Sequence, residues 1–156
     1  DERRLSRETE WNLSVGANGG LSYVYPILHI EVDAGSGISV GAMPLFFYQP
    51  GTLSKVTGFG GFLTMGVGFD RDTFDGLSLL FGAGVYSLNL TYDDLNEDAL
   101  GIAGLGQLQY RLNLGKSGWQ LGLNAGVQYV YMDTNQVAVS FTGFLPLFSG
   151  YVGVRL

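Results

Sequence analysis

The stretch that decides the fold class is WQLGLNAGVQYVYM, residues 119–132. Every second residue, from Trp119 to Tyr131, is apolar or aromatic, whereas the alternate set is rich in Gln, Gly and Asn up to Gln128. A period of two predicts a β-strand with two unlike faces. Water-facing strands normally carry Lys, Glu and Thr, which are almost absent here. We therefore expect the apolar face to meet lipid and the polar face to line the lumen of a barrel.

The same alternation occurs on either side of this stretch. Residues 99–114 place Leu108, Tyr110 and Leu112 on one face and a polar set on the other, and residues 137–156 set Phe148 and Val152 against polar or small residues. In residues 77–92 the apolar phase changes between Val85 and Tyr86, which predicts a β-bulge there. The period of two therefore extends through the later half of the chain.

Turn signals divide the chain at an even pitch. Clusters of Gly, Asn, Asp and Pro mark seven turns, for example at 18–20, 33–37 and 115–118. Seven turns separate eight strands, at about 10–17, 20–33, 37–49, 55–69, 77–92, 99–114, 119–132 and 137–156. The sequence predicts an all-β fold, a closed antiparallel transmembrane β-barrel of eight strands in up-and-down order. Residues 1–156 form one domain, with residues 1–9 as a polar N-terminal tail.

Composition excludes several classes of protein. Charged residues make up 14% of the chain, against about a quarter in soluble domains, and Gly accounts for 25 of the 156 residues. No apolar run reaches the roughly 18 residues that a membrane helix requires. The net charge of −6 provides no basic surface, so no nucleic-acid partner is expected. The absence of cysteine excludes disulfides and thiol chemistry. The first residues contain no apolar leader, so we expect any export signal to have been removed.

Aromatic residues gather near the strand ends, as in the girdles at membrane interfaces. Trp11, Tyr48, Tyr92 and Trp119 are examples. With the alternation and a last strand that ends at the chain terminus, this resembles small eight-stranded bacterial outer-membrane proteins, although they usually end in Phe or Trp rather than Leu156. The resemblance implies a location in the bacterial outer membrane, periplasmic termini, surroundings of membrane lipid and lipopolysaccharide, and a monomer. A soluble lipocalin-like barrel is the alternative.

With periplasmic termini, polar residues collect in the periplasmic half of the lumen. They are His29, Glu31, Gln107, Gln109, Arg111, Asn113, Gln120, Asn124 and Arg155. Since buried charges must be paired, we expect Glu31 to lie near Arg111 or Arg155 in a hydrogen-bonded plug. The alternative is a gate or proton relay.

The outer half of the lumen is predicted to be apolar. Its residues are Met43, Leu45, Phe47, Val56, Phe62, Val130 and Met132. An apolar space above a polar plug suits an acyl chain or another small apolar ligand. The alternative is that these side chains simply pack against one another.

Two prolines suggest a lateral gap in the wall. If the second hairpin turns about Gly35, Pro26 lies opposite Pro44, and the ladder loses amide donors there. Prolines open such gaps in lipid A palmitoyltransferases, and the resemblance is limited to that device. The alternative is fraying at the outer rim.

Enzymatic chemistry has little support. His29 is the only histidine, and both lipid A palmitoyltransferases and 3-O-deacylases use a histidine with a serine and usually a carboxylate. The deacylases place serine two residues after histidine, where this chain has Glu31. Ser39 is expected opposite Glu31, so a His29–Ser39–Glu31 cluster is geometrically possible.

The sequence contains no cofactor or metal motif. No helix follows its Gly-x-Gly runs, and the acidic run at 93–98 lacks a calcium-loop pattern. The leading expectation is a non-enzymatic outer-membrane barrel that binds or passes small apolar molecules. A lipid A-modifying acyl hydrolase or acyltransferase and a structural or surface-interaction barrel with a packed lumen are the alternatives.

Overall fold

The chain forms a closed barrel of eight antiparallel strands in sequence order. This computed structural model describes residues 9–20, 24–50, 54–70, 74–92, 95–134 and 141–156. The strands are β1 Trp11–Gly19, β2 Val24–Gly35, β3 Ile38–Pro50, β4 Ser54–Gly68, β5 Gly76–Tyr92, β6 Leu95–Asn113, β7 Trp119–Thr134 and β8 Phe141–Arg155. A single 3₁₀ turn, Gly115–Ser117, connects β6 and β7. The predicted eight-stranded meander is confirmed.

The first and last strands close the barrel. β1 pairs with β8 from Asn12↔Arg155 to Gly19↔Phe148. Below them, the Trp11 amide donates to the Leu156 carbonyl at 3.0 Å, and the Leu156 amide donates to the Trp11 carbonyl at 2.8 Å. No helix in the described ranges is long and apolar enough to cross a membrane.

The barrel is apolar outside and polar within its lower half. On β7, Leu123 is 69% exposed, whereas Gln120 and Asn124 are buried in the lumen. Apolar side chains face outward on every strand, and leaving so much of this surface in water would be costly, at about 25 cal/mol per Å². The outer wall is therefore a lipid-facing surface, and the predicted transmembrane barrel is confirmed.

Glycines make room for two large rings inside the lumen. The Tyr151 ring lies over Gly122 on the neighbouring strand, where an added Cβ would come within 2.0 Å of Tyr151 Cζ. Tyr86 lies over Gly101 in the same way, with Cζ 2.1 Å from an added Cβ. An eight-stranded barrel is just wide enough for side chains to fill it, which explains why so many lumen-facing positions are glycine.

The predicted β-bulge in β5 is wrong. β5 pairs without interruption with β4 and β6 along its length. Tyr86 and Leu88 continue the inward phase and enter the apolar upper lumen, while Asn89 and Thr91 lie on the opposite phase. The alternation of apolar residues along β5 changes phase in the sequence because the outward-facing residues become polar near the outer end of the strand, while the inward-facing residues there are apolar.

β6 begins four residues earlier than predicted, at Leu95 rather than residue 99. Thr91 Oγ1 donates to Asn96 Oδ1 at 2.8 Å, and Asn89 Nδ2 donates to Asp98 Oδ1 at 2.9 Å. These polar cross-strand pairs stabilise strand structure in a segment that looks like a loop by composition. The predicted start of β8 at residue 137 and nearly all of the tail at 1–9 lie outside the described residues.

The hairpin between β2 and β3 turns at Ser36 and Gly37 rather than about Gly35. Ser36 and Gly37 both have positive φ, 57° and 77°, as in a two-residue type I′ turn. A register irregularity lies between Asp33 and Gly35, beyond which Val32 faces Val40. Together, the turn and the irregularity shift the partner of each β2 residue on β3 by two residues relative to the predicted register.

The expectation that Pro26 lies opposite Pro44 is therefore wrong. Ile27 faces Leu45, so the continued register places Pro44 at the level of Leu28 and Pro26 at the level of Phe46. Pro26 is exposed on the outer wall and Pro44 is half-buried.

The β2–β3 pairing nevertheless lapses. Between Ile30↔Ala42 and Ile27↔Leu45, the described residues of the two strands form no pair. Beyond Ile27, residues 24–26 pair only with β1, and residues 46–50 pair only with β4. Pro44 has no amide proton to donate within this stretch. The hydrogen-bonded ladder of the wall is therefore interrupted between the described outer ends of β2 and β3.

Candidate ligand cavity and lumen cluster

A buried ion pair lies at the centre of the lower lumen. Arg111 Nη2 donates to Glu31 Oε2 at 2.6 Å, and each residue is 1% exposed. Arg111 Nε donates to the Tyr151 hydroxyl at 2.8 Å, and Asn12 Nδ2 donates to Glu31 Oε2 at 3.2 Å. Charge pairing and hydrogen bonds together offset the desolvation of both ions.

Gln120 Nε2 donates to Asn113 Oδ1 at 2.6 Å. Four of the other predicted plug residues divide into three groups. Gln109 Oε1 accepts from Arg111 Nη2 at 3.1 Å and belongs to the ion-pair cluster. Gln107 and Asn124 bond to each other at 3.4 Å and belong to a separate hydrogen-bonded chain. Arg155 lies apart from Glu31, because its Nε donates to Glu10 Oε2 at 2.9 Å near the two chain termini.

Phe74 closes the lower lumen and was not predicted. Its side chain is fully buried, although the residue belongs to the connection between β4 and β5. The ring centroid lies 5.4 Å from Arg111 Cζ and 5.7 Å from Arg155 Cζ, and the Phe74 carbonyl accepts from Gln120 Nε2. The available signal was an aromatic residue in a connection that is polar apart from Phe69 at its start.

His29 contacts Thr64 rather than Ser39. Its Nε2 lies 2.8 Å from Thr64 Oγ1, and its Nδ1 lies 3.5 Å from Glu31 Oε2. Ser39 Oγ donates to Glu31 Oε1 at 3.2 Å, although Ser39 pairs in register with Asp33.

The order hydroxyl–imidazole–carboxylate is also that of a hydrolase triad. Here the carboxylate of Glu31 is already bound to Arg111, and Thr64 is buried and does not line the cavity described below. In this geometry His29 belongs to the same polar cluster of the lower lumen as Glu31 and Arg111.

An apolar layer fills the middle of the lumen. Three of the predicted pocket residues, Met43, Leu45 and Phe62, are buried in it. The other buried members are Tyr25, Ile27, Leu80, Tyr86, Ala103, Leu105, Val130 and Leu147. The side chain of Phe47 lies outside the described part of the protein.

A cavity of about 180 Å³ lies toward the outer end of the lumen. Its lining is mainly aliphatic and aromatic, with one amide side chain. The lining residues are Val24, Tyr25, Tyr48, Val56, Tyr86, Leu88, Gln128, Val130, Met132 and Leu145. Val56, Val130 and Met132 belong to the predicted apolar outer lumen. Leu88 was missed because a bulge in β5 would have turned it outward.

A larger concavity, about 910 Å³, lies on the outer wall. Small outward residues, among them Ala42, Gly61 and Ala83, form its floor between larger neighbours such as Leu63. Because this surface faces hydrocarbon, lipid chains fill it, and it is not the candidate site. In the described residues, no group of three or more His, Asp or Glu side chains is placed to hold a metal ion.

The solved structures that are similar to this chain share little sequence identity with it. No protein-family profile and no curated protein sequence matches the chain. Neisserial surface protein A is 16% identical, with a TM-score of 0.38, over 95% of this chain and 94% of that one. CarO2 of Acinetobacter baumannii is 12% identical, with a TM-score of 0.49, over 93% and 98%. Ail, the attachment invasion locus protein of Yersinia pestis, is 14% identical, with a TM-score of 0.44, over 96% and 99%.

Proposed function

We propose that this protein is a non-enzymatic barrel of the bacterial outer membrane, monomeric and surrounded by lipid and lipopolysaccharide, that binds small apolar molecules in its upper lumen. The observation that carries the proposal is the cavity lined by Leu88, Val130, Met132 and Leu145. Binding sites for small molecules are typically concave and mainly apolar, with a few polar groups that set orientation.

The size of the cavity limits the ligand. An engineered apolar cavity of about 150 Å³ binds benzene. The cavity here, at about 180 Å³, is only slightly larger. It therefore suits one aromatic ring or a short aliphatic chain, and a whole acyl chain is too large for it.

The discontinuous wall supports entry from the membrane. Val24 and Tyr25 on β2 and Tyr48 on β3 line the cavity and lie in the stretches that do not pair with each other. Apolar molecules concentrate in the bilayer, so a lateral route supplies them directly. Between the cavity and the periplasm lie the packed apolar layer and the ion-paired plug, an arrangement that favours uptake into the barrel over passage through it.

Filling the cavity should abolish binding. We expect Val130→Trp to eliminate binding of toluene to the barrel in lipid nanodiscs, because the indole occupies the ligand's space. The control is Val127→Trp, three residues away on the same strand but facing lipid. Binding is measured by NMR titration of lumen methyl groups, with empty nanodiscs correcting for partition into lipid. Equal toluene affinity in wild type and Val130→Trp would contradict the proposal.

Closing the wall should slow uptake. Pro26 and Phe46 face each other when the β2–β3 register is continued, and the natural chain has no cysteine. We expect an oxidised Pro26→Cys/Phe46→Cys barrel to take up toluene more slowly than its reduced form, because the disulfide holds the strand ends together. The control pair is Leu13→Cys/Ile30→Cys, which face each other across β1 and β2. Equal uptake rates before and after reduction would show that the ligand enters elsewhere.

A further inference from the structure

Six polar side chains form a continuous hydrogen-bonded chain that reaches the cavity. Its successive bonds are Asn124 Nδ2 to Gln107 Oε1 at 3.4 Å, Gln107 Nε2 to Ser149 Oγ at 3.3 Å, Ser149 Oγ to Asn18 Oδ1, Asn18 Nδ2 to the Tyr25 hydroxyl at 3.1 Å, and the Tyr25 hydroxyl to Gln128 Oε1 at 3.4 Å. All six side chains are buried. The chain crosses the lumen from the lower polar region to the cavity wall.

Every bond in this chain points the same way. In these bonds each interior amide accepts through its oxygen and donates through its nitrogen, and each hydroxyl accepts one bond and donates the next. Turning one interior amide alone would place two donors or two acceptors face to face, so the direction belongs to the chain as a whole. With Gln128 Oε1 occupied by the Tyr25 hydroxyl, the nitrogen of that amide is the end of the chain.

The amide nitrogen of Gln128 is a hydrogen-bond donor that lies at the cavity wall. Gln128 is 6% exposed and lines the cavity. Among the described residues, its Nε2 has no hydrogen-bond partner. Because an unpaired donor beside a mainly apolar cavity is costly, a bound molecule gains by placing an acceptor next to it.

We infer that Gln128 makes the cavity selective for small apolar molecules that carry one hydrogen-bond acceptor, such as an aromatic or short-chain ketone or ester, over hydrocarbons of the same size. This inference rests on the proposed binding function and specifies its ligand class. The aliphatic lining holds the hydrocarbon part, and the Gln128 amide binds the carbonyl oxygen.

Acetophenone and ethylbenzene test the inference, because they have the same carbon number and differ by a carbonyl oxygen. In nanodiscs, with concentrations corrected for partition into lipid, acetophenone should bind wild type about 3- to 10-fold more tightly, as expected for one hydrogen bond. Gln128→Leu should remove this preference while retaining ethylbenzene binding. The carbonyl stretch of bound acetophenone should lie at lower frequency in wild type than in Gln128→Leu. If Gln128→Leu fails to fold, Gln128→Met is used for the same comparison, because methionine also lacks the amide donor.

The outcomes separate the two claims. Binding of neither compound would overturn the proposed function. Equal affinity of wild type for both compounds would overturn the selectivity alone. Tighter binding of 1-phenylethanol than of acetophenone would also overturn it, because the chain would then run in the opposite direction and present an oxygen that prefers donors. Tyr25→Phe breaks the chain next to Gln128, frees the amide to turn, and should reduce the preference for acetophenone.

Discussion

Replacing Glu31 by alanine is expected to lower the free energy of unfolding by about 3–5 kcal/mol, because it leaves a buried guanidinium without its counter-charge. Arg111 is 1% exposed, and its remaining acceptors, the Tyr151 hydroxyl and Gln109 Oε1, are neutral. The measurement is equilibrium unfolding by urea in lipid vesicles, monitored by tryptophan fluorescence and gel mobility.

Two further variants separate loss of the ion pair from general damage. Glu31→Ala/Arg111→Met removes both charges, and we expect it to recover most of the loss because an apolar replacement needs no counter-ion. Glu10→Ala breaks the partly exposed pair with Arg155 and should cost about 1 kcal/mol or less. If Glu31→Ala alone unfolds at the wild-type urea concentration, water solvates Arg111 and the plug is not dry.

Truncating Phe74 is the second large effect. Phe74→Ala should cost about 3–5 kcal/mol, as for other fully buried aromatic rings. The ring packs between the guanidinium groups of Arg111 and Arg155, so its removal also gives water access to the ion pair. Unfolding by urea in vesicles measures this loss as well.

The neighbouring aromatic residue provides the matched control for Phe74. Phe69 lies in the same connection and is 60% exposed, so Phe69→Ala should change the unfolding free energy much less. Phe74→Leu retains an apolar side chain and should lie between wild type and Phe74→Ala. Equal losses for Phe69→Ala and Phe74→Ala would show that the Phe74 ring does not close the lumen.

The barrel could be predicted because two physical signals are strictly local. Alternation along residues 119–132 depends only on the pleat of one strand, and turn residues mark where each strand ends. The inward phases of β2 and β6 also placed Glu31 and Arg111 in the lower lumen, where the structure brings them into contact. Pairing them required only that two buried opposite charges share a narrow space.

Register could not be predicted in the same way. One additional turn residue changes the partner of every residue along the β2–β3 ladder. Ser36 occupies a turn position with positive φ, and a non-glycine residue gives no clear sequence signal for that conformation. The same limit applies to β5, where a change in surroundings from hydrocarbon to polar was interpreted as a change in backbone phase. These two errors displaced the lateral gap and hid Leu88 from the predicted cavity.

Contacts between distant strands were also inaccessible from sequence. Gln128 was assigned to the lumen-facing set of β7, but its partner Tyr25 is 103 residues away. The hydrogen-bonded chain from Asn124 to Gln128 involves side chains of five strands, β7, β6, β8, β1 and β2. Phe74 was missed because turn residues are ordinarily solvated. Side-chain geometry, rather than pattern, therefore determines the candidate site.

The central claim is that a small apolar molecule occupies the upper lumen, and intermolecular NOEs in nanodiscs test it most directly. With methyl groups of Leu88, Val130 and Met132 labelled, added toluene should give NOEs between its ring protons and these methyls. In the Val130→Trp variant, the methyl groups of Leu88 and Met132 should no longer show NOEs to toluene. NOEs confined to outward-facing methyls such as those of Leu123 and Val127 would contradict the account, because toluene would then reside only in the surrounding lipid.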